Sequence, residues 1–423
     1  MNAGANRHLS RTQGITIALA GIFIDAASLA VAAIDDGATP PVPIIADNFD
    51  IFTAPQISYD NNIYRLSPDV IDLDTLIGPH AGRSDVIKSV VLGIDGQWGL
   101  GRESLDVSLQ ANRNWYLHNN DLDNTGGTGH AILDWSLGDR FTGQAGEIYT
   151  RSLANFANTL VYVKDLIATS ESFASIRYEL ISHWLLIGAV RVGDTQHSAS
   201  VLQFDDFRDQ SGNMGIEYEL ANNNFVGFEY RYTEGHFPEL TVLNGLPFNR
   251  DYRQDTERLV LDYDLTSKTT IDVSAGYLER SYPYSTVGAF SGDVWRASVS
   301  WQATTKSRLV LAGWRELSAY VDAESNYFVG NGVSVSPKWS PTEKLSLSFI
   351  ESFESQHFIA SDSIVIAGPL RRDNVTSQQA VLTYTPRAAV VISFSYQHLD
   401  RTSNYRQFPY GDKICTLDLT VKL

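Results

Sequence analysis

The most constraining feature of this sequence is an alternation of apolar and polar residues with a period of two. Leu105, Val107 and Leu109 alternate with Asp106 and Ser108, and residues 344–350, 390–397 and 417–423 repeat the pattern. Successive side chains of a strand point to opposite sides, so the pattern predicts strands with one apolar and one polar face. From residue 50 onward the chain is therefore expected to be all-β.

The connections between the predicted strands alternate in length. Short polar turns recur about every 40 residues, as hairpin units would, near Gly101, Asp139, Ser182, Asn223, Ser267, Thr305, Pro341 and Pro386. Longer polar stretches lie between them, at 119–129, 193–212, 235–254, 281–292 and 356–373. Short turns on one rim and long loops on the other are typical of a transmembrane antiparallel outer-membrane β-barrel, here with about eighteen strands and a range of sixteen to twenty.

Aromatic residues favour a membrane location for this barrel. One Trp lies within a few residues of most short turns, as the aromatic girdle of a membrane interface requires: Trp98, Trp135, Trp184, Trp301 and Trp339. The best soluble alternative is a β-propeller, whose repeats have a similar length. Each repeat here holds only two strands of about ten or more residues, which are too long and too few for a propeller blade.

The N-terminus is interpreted as a secretory signal. Basic residues at Arg7 and Arg11 precede the apolar run 15–24, and Val31-Ala32-Ala33 fits a cleavage site. We therefore divide the chain into a signal peptide (1–33), a short periplasmic segment (34–49) and the barrel (50–423), located in the bacterial cell outer membrane. Membrane lipid and the barrel-assembly machinery are the expected partners.

Charge and composition exclude several functions. The net charge of −17 disfavours binding to nucleic acid, whose phosphates would be repelled. The single cysteine, Cys415, excludes a disulfide scaffold and a cysteine-based metal site, and it is expected on the lipid face of the last strand. Motifs of metalloproteases, serine hydrolases and nucleotide-binding loops are missing from the sequence. We predict no catalytic residues, no metal, no cofactor and no enzyme activity.

The polar face of the strands predicts a charged lumen. If apolar residues face lipid, their charged neighbours point inward, where an eighteen-stranded barrel is too wide for side chains to fill. The lumen-facing candidates are Arg177, Glu179, Glu217, Glu219, Glu229, Arg231, Arg258, Asp262, Asp264, Asp272 and Arg296. Carboxylates dominate, so an acidic patch that favours cations is one interpretation. Plain solvation of the wall, or salt bridges that only stiffen it, are the alternatives.

Several short segments resemble a known family. These are residues 47–50 with 59–65, residues 133–138 with 141–143, residues 177–180, and residues 401–403 leading into Tyr410. They are similar to the EpsL-like outer-membrane barrels of exopolysaccharide biosynthesis clusters, within the wider β-barrel porin type 2 group. The chain departs from most barrels at its end, because it finishes on Leu423 rather than on Phe.

The resemblance implies a water-filled conduit that assists exopolysaccharide biosynthesis or export. Polysaccharide and periplasmic export proteins would then be further partners. Two other functions suit the same fold: a general or cation-preferring diffusion porin for small solutes, and a structural or adhesive barrel. The sequence alone leaves these three functions open.

Overall fold

The protein forms one closed antiparallel β-barrel of eighteen strands. The structure, a computed structural model, describes residues 48–79, 81–159, 161–220, 224–243, 246–319, 325–360 and 369–423. The barrel strands are β1 (Asn48–Asp60), β2 (Asp85–Leu100), β3 (Glu103–Tyr116), β4 (Asn124–Leu137), β5 (Phe141–Leu153), β6 (Leu166–Ile181), β7 (Trp184–His197), β8 (Phe207–Glu219), β9 (Phe225–His236), β12 (Tyr252–Thr266), β13 (Thr269–Tyr282), β14 (Ser285–Thr304), β15 (Ser307–Ala319), β16 (Ser325–Thr342), β17 (Leu345–Ala360), β18 (Arg372–Arg387), β19 (Val390–Ser403) and β20 (Tyr410–Lys422). The predicted fold class and strand number are confirmed.

The barrel closes where the first strand meets the last. β1 pairs with β20 from Phe52 opposite Lys422 to Asp60 opposite Ile414. The pairing lapses around Pro55, which has no backbone N–H to donate. The amide of Leu423 donates to the carbonyl of Ile51 and extends the seam to the end of the chain. Every strand of the barrel thus has two neighbours, and the barrel sheet has no open edge.

One rim of the barrel carries the short turns. Two of these turns use backbone with positive φ at glycine, Gly101 (80°) and Gly138 (62°), and a third uses it at His183 (70°). Glycine has no Cβ to clash in this conformation, so it is the favoured residue there. The predicted turns near Pro341 and Pro386 lie slightly further on, because β16 and β18 continue through both prolines. The predicted turn residue Asn223 lies outside the described residues.

The other rim carries most of the longer connections. They include a short helix α1 (Leu73–Leu76), three 3-10 turns (Asn120–Leu122, Phe156–Asn158 and Ser200–Asp205) and a small hairpin of β10 (Thr241–Leu243) and β11 (Leu246–Phe248). The predicted loop at 281–292 is wrong, because only two residues separate β13 from β14. The predicted loops at 119–129 and 193–212 are too long, because β4, β7 and β8 occupy part of each.

The glycines of β4 explain one of these errors. A glycine-rich stretch usually indicates a loop, but Gly126 and Gly127 lie inside the sheet, where neighbouring backbones approach closely. A Cβ on Gly126 would lie 2.4 Å from the carbonyl oxygen of Arg151, and one on Gly127 would lie 2.6 Å from that of Gln110. These glycines therefore allow close strand packing rather than a turn.

The two faces of the wall differ in chemistry. Large apolar side chains are exposed on the outer face, for example Leu92, Leu109 and Leu259, each more than half exposed. Their sequence neighbours, such as Gly93, Gln110 and Arg258, lie on the inner face. Cys415 shares the outer face with Leu417 and Leu419, as strand alternation requires. An exposed apolar exterior around a polar interior suits a wall surrounded by lipid.

The structure bears on the remaining segments only in part. Among the described residues, no helix is long and apolar enough to span a membrane. The predicted signal peptide (1–33) and all but the last two residues of the predicted periplasmic segment (34–49) lie outside the described residues. β1 begins at Asn48, two residues before the predicted start of the barrel.

The arrangement of the two rims predicts the topology in the cell. Both ends of the barrel wall lie on the short-turn rim, so the longer connections should face the exterior. In a Cys415→Ser background, Ile71→Cys in the first long connection should react with a membrane-impermeant maleimide on intact cells. Ile71 is 90% exposed.

Glu343→Cys provides the matched control, since it lies exposed in a turn of the opposite rim. It should react only after the outer membrane is permeabilised. Labelling of Glu343→Cys but not of Ile71→Cys on intact cells would reverse the topology.

Candidate functional site

The charged inner wall is the candidate functional site. Strand alternation places all of the lumen-facing candidates opposite the exposed apolar face, and each lies between neighbours that point outward. They occupy β6, β8, β9, β12, β13 and β14, which together with β7 form one continuous arc of the wall. The residues are Arg177, Glu179, Glu217, Glu219, Glu229, Arg231, Arg258, Asp262, Asp264, Asp272 and Arg296.

Several of the predicted acidic residues form ion pairs with arginine. Arg258 binds Glu229 directly across from it, with 2.6 Å between Nη2 and Oε2. Arg177 on β6 reaches over β7 to Glu217 on β8, with 2.9 Å between Nη2 and Oε2. The predicted acidic patch is therefore wrong at this level of the wall, because both glutamates are neutralised by an adjacent guanidinium.

A second set of ion pairs was not predicted from the sequence. Arg191 on β7 donates from Nη1 to Glu171 on β6 (2.8 Å) and from Nη2 to Asp209 on β8. Gly193 lies directly opposite both carboxylates, and a Cβ there would stand 2.4 Å from Oδ1 of Asp209. Glycine at this position leaves space for the charged cluster.

Ion pairs between arginine and carboxylate continue along this arc of the inner wall. Arg296 forms a two-pronged pair with Glu316, which the sequence reasoning also missed, at 2.9 Å and 2.6 Å. Arg231 lies within electrostatic range of Glu229, Glu171 and two other arginines. Arginine and carboxylate thus alternate around the middle of the wall, and opposite charges there are nearly balanced.

The charge balance changes toward the short-turn rim. Asp262 on β12 lies directly across from Asp272 on β13, and Glu219 is the last residue of β8. The hydroxyl of Thr270 donates to Asp264 (2.8 Å) and that of Ser298 donates to Asp272 (3.1 Å). Carboxylates outnumber basic side chains on this part of the inner wall. Further inward carboxylates near this rim are Asp95, Asp106, Asp134, Glu179 and Asp418.

The long-loop rim is partly covered by its own connections. Residues 154–165 link β5 to β6, yet Arg401 on β19 donates from Nη1 to Asn158 (2.7 Å) and from Nη2 to the carbonyl of Ala157. Strands β20 and β1 to β4 lie between β19 and β5 in the wall. This segment therefore extends over the barrel mouth and narrows it.

The connection between β1 and β2 supports that segment. Tyr64 packs against Phe156, with 5.0 Å between ring centroids, and Leu66 is fully buried beside them. Burial raises the pKa of the Tyr64 hydroxyl to about 12, and the negative charges of Asp121 and Asp85 add to the effect. An ordered apolar cluster thus fixes one side of the mouth.

A second cluster lies on the other side of the barrel. Tyr282 and Tyr327 stack at 6.5 Å between centroids, and Arg280 lies 4.1 Å above the ring of Tyr252. Phe207 and Phe237 complete the buried group. The two clusters hold the long connections around the opening, which is where a pore would be constricted.

The predicted girdle tryptophans all lie on the outer face beside short turns. Trp184, Trp301 and Trp339 are well exposed there, while Trp98 and Trp135 are partly covered. Trp98 lies over Gly96 and Trp135 lies over Gly143, and neither glycine has a side chain in the way. In the part of the chain that the structure describes, no group of three His, Cys, Asp or Glu side chains is arranged to hold a metal ion.

Comparison with known proteins agrees with this architecture. Residues 244–423 match the family described as "Putative beta-barrel porin 2". OccK9 (OpdG) of Pseudomonas aeruginosa has a similar fold, with TM-score 0.50, 10% identity and coverage of 89% of this chain and 99% of that one. A search of curated proteins gave no match.

Two further crystal structures from the same organism are similar in outline. OccK2 (OpdF) in complex with glucuronate gives TM-score 0.48, 8% identity and coverage of 89% and 98%. OpdK with vanillate gives TM-score 0.47, 9% identity and coverage of 89% and 99%. The apolar exterior and the porin fold identify this chain as a porin-like outer-membrane β-barrel, which confirms the predicted location.

The Arg191 cluster predicts a large effect on stability. Arg191→Met leaves Glu171 and Asp209 buried without their guanidinium, so the free energy of unfolding should fall by about 3 kcal/mol or more. Unfolding by guanidinium chloride in detergent micelles, followed by tryptophan fluorescence, measures the change.

Arg208→Met is the matched control, because the Arg208 side chain is 63% exposed and lies 3.6 Å from Asp194. This substitution should lower the free energy of unfolding by less than about 1 kcal/mol. Combining Arg191→Met with Glu171→Gln and Asp209→Asn should restore most of the lost free energy of unfolding. Equal costs for the two single variants would contradict the role given to the buried cluster.

Proposed function

We propose that the protein is a water-filled diffusion pore for small hydrophilic solutes, with a preference for cations. The observation that carries this proposal is the charged inner wall of an eighteen-stranded barrel. Barrels of this width leave an aqueous channel, and a lining of charged side chains keeps it wet.

The cation preference rests on the charge distribution along the wall. Arginine and carboxylate alternate in the middle, as in Arg258–Glu229 and Arg296–Glu316. Near the short-turn rim carboxylates dominate, with Asp262 facing Asp272. A ring of negative charge raises the local concentration of cations and repels anions.

The covered mouth supports a pore of limited size. The segment 154–165 is held over the opening by Arg401 and by the cluster around Tyr64. A solute therefore passes a narrowed entrance before it meets the charged wall. This arrangement favours small solutes over a long polymer. The exopolysaccharide role rests on the short sequence motifs alone, so it is the weaker candidate. The porin fold points to a channel rather than to an enzyme.

Reversal potentials across a salt gradient in planar bilayers test the proposal. Wild-type protein should form conducting channels that favour K⁺ over Cl⁻. The variant Glu219→Gln/Asp262→Asn/Asp264→Asn/Asp272→Asn should move the permeability ratio toward one. The preference should also weaken as salt rises, because the Debye length falls to about 3 Å at 1 M.

Glu257→Gln/Glu279→Gln is the matched control, since both glutamates lie on the outer face of the same strands, β12 and β13. It should leave the permeability ratio unchanged. A silent protein would contradict the pore itself. Conducting channels with equal selectivity in wild type and in the inner-wall variant would remove the cation preference but keep the pore.

A further inference from the structure

The outer wall has two regions of opposite character near the long-loop rim. On β7 to β15 the outward basic residues are ion-paired with carboxylates: Arg208 with Asp194, Arg253 with Glu234, and Arg315 with Asp293. Glu257 and Glu279 add further negative charge to that side. The outward basic residues of that side therefore already have acidic partners.

The region formed by β20 and β1 to β5 is different. Four exposed basic residues point outward there, at Lys88, Arg113, Arg151 and Lys413. Within the described part of the chain, none of these four forms an ion pair. In strands β20 and β1 to β4, the outward positions above the apolar band carry no carboxylate. The nearest outward carboxylates, Glu147 and Asp400, lie at its edges on β5 and β19.

The sheet register places Lys88 and Arg113 side by side. Lys88 pairs directly with Trp115, and Arg113 lies two residues below on the same strand, with its guanidinium 5.9 Å from that indole ring. Its Nη1 also donates to Thr125 (3.2 Å). Lys413 and Arg151 lie five strands apart and are offset by eight residues in the register of the sheet. With about 4.8 Å between strands and about 3.3 Å between residues along a strand, the four residues extend over roughly 35 Å of the wall between β20 and β5.

The height of the group places it at the membrane interface. Lys88 lies four residues, or about 13 Å along the strand, above Leu92 in the apolar band. Three exposed aromatic side chains lie near the four basic residues: Trp115, Tyr59 and Tyr149. Aromatic rings concentrate at the level of lipid headgroups. Since the long connections face the exterior, this is the level of the outer-leaflet headgroups.

We propose that Lys88 and Arg113, flanked on the two sides by Lys413 and Arg151, form a binding site for the phosphate groups of an outer-leaflet glycolipid of the lipid A type. The guanidinium of Arg113 and the ammonium of Lys88 bind phosphate oxygens through charge-assisted hydrogen bonds. The acyl chains lie along the apolar band below, on residues such as Leu92 and Leu109. The site is separate from the pore and does not depend on the proposed function.

Binding of purified lipid A to the full chain in detergent micelles, measured by native mass spectrometry, tests this site. Bisphosphorylated lipid A should bind, and the same lipid without phosphates should bind much more weakly. Each basic residue near an anionic lipid surface contributes about a fivefold change in affinity, so Lys88→Gln/Arg113→Gln should reduce binding about 25-fold.

Arg208→Gln/Arg253→Gln is the matched control, because it removes two outward arginines from the opposite side of the barrel. It should leave binding unchanged. Folding of each variant is checked by heat-dependent mobility on gels. If the double variant does not fold, Lys413→Gln carries the same test, with an expected fivefold loss. Equal binding of the dephosphorylated lipid, or equal loss in the control, would overturn the proposal.

Discussion

The structure depends on one constraint: inside a lipid bilayer, every backbone N–H and C=O must find a partner within the protein. A sheet meets this requirement only if it has no edge, and here the pairing of β1 with β20 removes the last one. Closure with an even number of strands puts both ends of the wall on one rim. It also fixes the alternation of side chains between the two faces of the wall, so that Leu109 faces lipid while Gln110 faces the lumen.

The inner wall follows from the same constraint. Charged residues excluded from lipid collect inside, where those in the middle of the wall neutralise one another as in Arg258–Glu229 and Arg191–Asp209. Near the short-turn rim carboxylates outnumber basic residues, with Asp262 directly across from Asp272. The connections of the other rim fold over the opening. A narrowed entrance and an acidic inner end together define the pore that we propose.

The sequence predicted the strands well because each strand carries its own alternation, which needs no knowledge of its neighbours. It failed where contacts join distant segments. Arg177 meets Glu217 although β7 lies between their strands, and Arg401 meets Asn158 only because a connection folds over the mouth. The sequence could have predicted that Arg191 faces the lumen, since it lies between Val190 and Val192, which both point outward.

The most direct test of the account is a disulfide across the seam. In a Cys415→Ser background, Gln56→Cys/Asp418→Cys joins paired positions of β1 and β20, whose Cα atoms should lie about 5 Å apart. Mild oxidation of the folded protein should give an intramolecular disulfide in nearly every chain. Gln56→Cys/Ser298→Cys, which joins β1 to β14 on another part of the wall, should stay reduced. Free thiols in the seam variant, or equal cross-linking in both, would contradict a closed barrel.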